Sequence, residues 1–265
     1  MRRTRGHKQI APVRPRPIVT LLTDFGTRDY YVAAMKAVLI RRCADVRLVD
    51  ITHSVPPQDI LCGSITLERA VDGFPPGTVH LAVVDPGVGT DRRLIITKLR
   101  DQFIVCPDNG LITWPWRRLG PGGSHQITDF PASASNTFHG RDILAPVAGR
   151  LADGEPISLL AKPIDDPILL NISPANSYDY GQVIHIDHFG NATTNVPHDR
   201  LRDRAVRQVA VKGRKVGKVR RTYWDVAPGK PLALIGSSGL LEIAVRDGSA
   251  ADDLKIRVGD EVSVS

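Results

Sequence analysis

The residues of this chain best suited to chemistry are carboxylates set directly behind apolar runs. "TLLTDFG" places Asp24 after one such run and "LAVVDPGVGTDRR" places Asp85 after another. In an open parallel sheet ligands bind at the carboxyl ends of the strands, where loops and helix N-termini converge. An aspartate there can accept two hydrogen bonds from a vicinal diol, which fits the ribose of a nucleoside without phosphates. Each residue also has a structural reading: Asp24 as a helix N-cap, and Asp85-Pro86-Gly87 as turn material. Phosphate cradling has no support, because neither G-x-G-x-x-G nor G-x-x-x-x-G-K-[ST] occurs.

Three further stretches carry candidate groups. "NTFHGRDILAP" puts His139 beside Gly140 at the mouth of an expected helix. "HIDHFGNATTN" gathers His185, Asp187, His188 and Asn191 around a turn, but strand alternation puts His185 and Asp187 on one face and His188 on the other, a weak metal signature. Ser237-Ser238-Gly239 is a small-residue turn whose amides and hydroxyls can hold a carboxylate. No G-x-S-x-G elbow marks either serine as a nucleophile.

The elements that must position these groups follow from periodicity. From Ile18, short Val/Ile/Leu runs ("PIVTLLT", "VRLVDIT", "TVHLAVVD") alternate with amphipathic stretches ("DYYVAAMKAVLIRRC", "ILCGSITLERAVDGF"), the grammar of a buried parallel sheet with crossover helices. "RLIITKL" and "QFIVC", with the Asp108-Asn109-Gly110 turn, read as a hairpin. "RDILAPVAGRLADG" reads as a helix closed by Gly154. Residues 165–180, rich in Pro and Asp and without period, read as a linker. Beyond them come short strands with close-set Gly and Asn turns. The expected architecture is α/β: a Rossmann-like N-terminal domain over 18–164 and a smaller, mostly-β, barrel-like C-terminal domain over 181–265.

The net charge of +7 suggests nucleic acid until it is mapped. Residues 1–17 hold six Arg/Lys and no acid, which leaves about +1 for the other 248 residues. The tail reads as a disordered basic segment and the body carries no basic groove, so nucleic acid is not expected as a partner. No apolar stretch approaches a membrane span or a secretory core, which points to a cytoplasmic protein with no membrane partner. Cys43, Cys62 and Cys106 lack any C-x-x-C spacing and are expected as buried, reduced thiols.

Taken together and in order, "TDFG" (23–26), "DITHSVPPQDI" (50–60), "VVDPGVGTDRR" (83–93), "PDNGLIT" (107–113), "FHGRDILAP" (138–146), "DHFGNATTN" (187–195) and "GSSGLLEIAV" (236–245) resemble the S-adenosylmethionine hydroxide adenosyltransferase family. These are hydrolytic relatives of the fluorinase and chlorinase. The resemblance implies hydrolysis of S-adenosyl-L-methionine (SAM) to adenosine and L-methionine. It also implies a homotrimer whose active sites lie between the N-terminal domain of one subunit and the C-terminal domain of the next. By resemblance, Asp85, Arg92 and His139 position and activate water, and Asp24 binds the ribose diol. Asp187 and Asn191 match contacts to the methionine amine and to adenine, and Ser237 a contact to the methionine carboxylate. Phe189 and Tyr223 fall where rings flank the adenine, and Gln58 and Phe138 where side chains line the ribose and sulfonium end. The halogenases carry a tyrosine where this chain has Asp85 and lack a match to His139, which puts the chain with the hydrolases. Ser238 departs from the bulkier residue often found there, and Trp224 beside Tyr223 is also unusual.

The residue types suit that reaction. The sulfonium leaves as a neutral thioether, so no metal or cofactor is expected and SAM is simply the substrate. Water must be aimed at carbon, which Asp85 can do as acceptor, with Arg92 fixing the carboxylate through a bidentate pair and His139 passing the proton on. Three other readings stay open at this point: a SAM or nucleoside sensor without turnover, a halogenase-like enzyme, and a metal-dependent hydrolase built on Asp24, Asp85, His139, His185 and Asp187.

Overall fold

The computed structural model describes residues 16–171, 179–201, 206 and 208–265. Most of the expected basic tail (1–15) and the middle of the expected linker (172–178) lie outside the described residues. The chain divides into two compact units, the first built from residues up to Gln58, Gly73–Asp108 and Leu119–Pro167, the second from Asp59–Asp72, Asn109–Arg118 and Ile168–Ser265.

The strands of the first unit are β1 (Ile18–Thr23), β2 (Arg47–Thr52), β3 (Val79–Val83), β4 (Leu94–Leu99), β5 (Gln102–Pro107), β6 (Gly123–Ile127) and β7 (Ala161–Ile164), in the spatial order β2-β1-β3-β5-β4-β6-β7. The first four in that order pair in parallel, whereas β4, β6 and β7 add antiparallel edges. Central β3 is buried along its whole length, as its unbroken apolar run requires. Helix α1 (Tyr31–Arg42) packs against α4 (Ala145–Ala152), and α4 lies on β1 and β3. The Val/Ile-rich pattern thus yields parallel pairing from the β2 edge as far as β5, and the other side of the sheet is antiparallel. The β4–β5 hairpin turns at Arg100 and Asp101, with Arg100 at φ 51°, while Asp108-Asn109-Gly110 comes after β5.

The second unit takes α2 (Ile60–Val71) and most of α3 (Thr113–Leu119) from the first half of the sequence. Its strands are β8 (Tyr180–Ile186), β9 (Ala192–Pro197), β10 (Val209–Val211), β11 (Arg214–Gly217), β12 (Val219–Arg220), β13 (Pro231–Ile235), β14 (Leu240–Val245) and β15 (Glu261–Val264), with a short helix α5 (Ala250–Asp253). They form one sheet in the order β11-β10-β15-β8-β9-β14-β13-β12. β11 at one edge packs on β13 near the other, so the sheet curls into an almost closed barrel. Alternating residues fill it, among them Val183, Ala192, Val209, Val211, Leu241 and Val262. α2 lies against β8. Cys43 and Cys106 are buried free thiols, but Cys62, on α2, is only half-buried, its sulfur 3.7 Å from His185 Nδ1.

Candidate active site

In the first unit β1 and β3 are paired with Thr23 opposite Val83, which puts Asp24 and Asp85 just past the same ends of neighbouring central strands. Asp24 is the residue where β1 turns; its Oδ2 accepts the Gln58 N–H at 2.8 Å, with Gln58 held at φ 66°. Gly26 takes φ 68° and donates its N–H to His53 O at 2.7 Å, closing the turn that Asp24 opens.

After Asp85 the chain folds back on itself. Val88 N–H donates to Asp85 O, and the Thr90 N–H and hydroxyl both donate to Gly87 O. Gly89 sits at φ 84°, where a Cβ would come within 2.7 Å of Asn136 O. These contacts return Arg92 to Asp85. Arg92 Nε donates to Asp85 Oδ1 at 2.6 Å and Nη2 to Oδ2, a bidentate pair whose side chains are 9% and 6% exposed. The same guanidinium reaches His139 Nδ1, with Nη1 and Nη2 both at 3.1 Å. Arginine has only donors, so Nδ1 is an acceptor and His139 carries its proton on Nε2. Burial, and then the Arg92 charge, push the His139 pKa below the usual histidine value.

His139 precedes a π-helical turn, Gly140–Leu144, that leads into α4. Asp142 secures this turn by accepting the Ser135 N–H at 2.9 Å and the Arg141 Nε–H at 2.6 Å. Phe138, next to His139, meets Phe25 and Tyr31 edge-on at centroid distances of 6.0 and 5.2 Å, and these rings line a cavity of about 300 Å³.

The second unit carries the other group. Asp187, Phe189, Asn191, Tyr223 and Ser237 all line one cavity of about 890 Å³. Asp187 organises the turn between β8 and β9: Oδ1 accepts the Phe189 and Asn191 N–H groups, both at 2.9 Å, and Oδ2 accepts Asn191 Nδ2 at 3.0 Å. Phe189 and Tyr223 are exposed on the rim at 73% and 40%. Ser237 stands in the β13–β14 turn, closed by the Gly239 N–H on Gly236 O at 3.0 Å. Ser238 and Trp224 line the same cavity, and Arg246 lies over the Trp224 ring at 3.9 Å.

The eleven residues singled out from sequence therefore fall into two sets. Asp24, Gln58, Asp85, Arg92, Phe138 and His139 belong to the first unit, and Asp187, Phe189, Asn191, Tyr223 and Ser237 to the second. The five residues of the metal reading are split between the units as well, and among the described residues no three His, Cys, Asp or Glu side chains are grouped to hold a metal ion. Sequence reasoning missed Arg69 and Glu242, which line the larger cavity. Arg69 lies within the amphipathic stretch "ILCGSITLERAVDGF", where nothing local sets it apart from any other charged helix residue. Glu242 had a signal that went unused, a carboxylate inside the apolar strand "LLEIAV".

Comparison with known proteins gives this arrangement a family. The model of the SAM hydroxide adenosyltransferase N-terminal domain matches residues 19–161, and that of the C-terminal domain matches 181–263. The chain belongs to the SAM hydroxide adenosyltransferase family. It is 42% identical over 252 residues to the (R)-S-adenosyl-L-methionine hydrolase of Thermus thermophilus, covering 91% of this chain and 96% of that one. The (R)-S-adenosyl-L-methionine hydrolase of Salinispora tropica is 38% identical, covering 95% and 98%. Proteins named fluorinase match more distantly, at 25–26% identity. A crystal structure of an uncharacterized conserved protein from Thermotoga maritima superposes with a TM-score of 0.87 at 37% identity, over 93% of this chain and 100% of that one.

Proposed function

We propose that this chain hydrolyses SAM to adenosine and L-methionine. A water oxygen forms a bond to ribose C5′ while the C5′–S bond breaks, its electron pair passing to sulfur as the neutral methionine thioether, and the water gives up one proton. The observation that carries this reading is the half-buried Asp85–Arg92–His139 hydrogen-bonded chain, with Asp85 just past the end of β3. A carboxylate forked by arginine keeps a fixed direction, and one further lone pair on each oxygen remains to accept from water. The Arg92 charge beside a sulfonium would oppose binding were it not neutralised by Asp85, and the Asp85 charge disfavours a halide in the place of water. His139 Nδ1 is filled by Arg92, so Asp85 is the first acceptor of the water proton and His139 follows only when Arg92 moves aside.

Around that centre Asp24 takes the ribose diol, its Oδ1 without a partner among the described residues beside the Oδ2 engaged by Gln58, while Gln58 and Phe138 line the ribose and sulfonium end. In the second unit Asp187 and Asn191 address the amine and adenine, Phe189 and Tyr223 flank the base, and Ser237 meets the carboxylate. The working form is a homotrimer whose sites combine the 18–164 domain of one subunit with the 181–265 domain of the next. The enzyme is cytoplasmic and takes no cofactor or metal, since the sulfonium supplies the leaving group. Incubation with SAM in halide-free buffer containing a chelator tests this. Adenosine and methionine in equal amounts are expected; binding without turnover would mark a sensor, and loss of activity on chelation a metal enzyme.

A further inference from the structure

Three arginines line the larger cavity of the second unit, and two are committed elsewhere. Arg118 donates to Glu68 Oε1 and Asp72 Oδ2. Arg246 stacks on Trp224, donates to Val226 O at 2.8 Å and lies 3.5 Å from Asp247. Arg69 differs: its Nη2 donates to the hydroxyl of buried Thr193 at 3.1 Å, and among the described residues no carboxylate lies within ion-pair distance of it. A guanidinium has five N–H donors, so among the described residues most of its hydrogen-bonding capacity is unused and its charge meets no direct ion-pair partner.

The same cavity is short of positive charge where Ser237 would meet a carboxylate. Glu242 accepts the Tyr223 hydroxyl at 2.6 Å on Oε1, and its Oε2 lies so near Gly236 that a Cβ there would be 2.8 Å away. Burial and then the Asp187 charge raise the Glu242 pKa, while Arg69 acts in the opposite direction, so Arg69 already feels this corner of the cavity. An incoming carboxylate at Ser237 would meet Glu242 and Asp187 in the same lining, while Arg118 and Arg246 are already engaged.

Resting on the reading of SAM as substrate, we propose that Arg69 holds the α-carboxylate of the methionyl end, serving as the cation that Ser237 and Ser238 cannot provide. It then sets specificity for an amino-acid tail over one lacking the carboxylate. Binding is measured by calorimetry in an Asp85→Asn background, to keep the ligand intact, with SAM and with its decarboxylated analogue. Without Arg69 substitution SAM should bind more tightly than the analogue. Arg69→Gln should weaken SAM about 10- to 100-fold, the scale of a lost charge-assisted hydrogen bond, and leave the analogue within about 3-fold. Arg69→Lys should fall between them on SAM alone, and it carries the test if the Gln variant does not fold. Equal loss on both ligands, or no initial preference for SAM, overturns the assignment. Absence of turnover with this binding pattern intact would instead overturn the hydrolase reading and leave Arg69 in place.

Discussion

Arg92→Lys keeps the charge and removes the fork, and its cost can be worked from the contacts. Arg92 makes two bonds to Asp85 and shares its two terminal nitrogens with His139 Nδ1. A lysine ammonium is a single point on a shorter reach; it can serve one Asp85 oxygen or His139, not the whole set. At least one charge-assisted hydrogen bond is therefore lost in a site where both ion-pair side chains are under 10% exposed. Such a bond is worth about 1.5–3 kcal/mol, and each 1.36 kcal/mol is about tenfold in rate. The variant should lose about 10- to 100-fold in kcat/KM, mostly in kcat, because the lost contacts aim the nucleophile rather than bind the substrate. Steady-state adenosine release, followed by chromatography beside a thermal melt, measures this. A folded Arg92→Lys enzyme within about threefold of the unaltered rate would refute the argument that orientation of Asp85 matters.

Asp85→Asn should retain SAM binding and lose at least about 100-fold in turnover, the lower end for a positioned general base; unchanged turnover would show its role misassigned. Gly190→Ala should lower Tm by about 3–6 °C and weaken ligand binding. Gly190 sits at φ 82°, and an added Cβ would collide with Ser249, disturbing the turn that Asp187 holds; a melt and titration equal to the parent would contradict this. Because the His139 pKa is lowered, its neutral form persists at pH 6.5, where an ordinary histidine is about half protonated. Protonation there removes the Arg92 acceptor and sets two cations together, so kcat/KM should hold from pH 8 to about 6.5 and fall only in more acid buffer. A fall beginning above pH 7 would count against it.

Much of this was readable in the sequence, and what was not has physical causes. Asp24 and Asp85 could be placed on one edge because an unbroken apolar run in an α/β pattern means a buried strand, and the loops past its end are where ligands go. Seven motifs in register named the partners of Asp85 that no local pattern would have joined, since Arg92 reaches His139 across 47 positions. Strand direction was only partly readable: the close spacing of β4 and β5 marked an antiparallel hairpin, but periodicity reports burial, not pairing, and did not show that β6 and β7 extend the sheet antiparallel beyond it. The grouping of α2 with the barrel was equally hidden, because its amphipathic face looks the same whichever sheet covers it. Arg69 escaped for that reason. What singles it out is that among the described residues it has no carboxylate in ion-pair contact, which is a property of the folded neighbourhood and not of the helix.

The central claim is that water attacks ribose C5′, and turnover in ¹⁸O-labelled water tests it most directly. Mass spectrometry should find one ¹⁸O in the adenosine and none in the methionine. Unlabelled adenosine, or label appearing instead in an amino-acid fragment alongside a thioether-bearing nucleoside, would contradict attack at C5′.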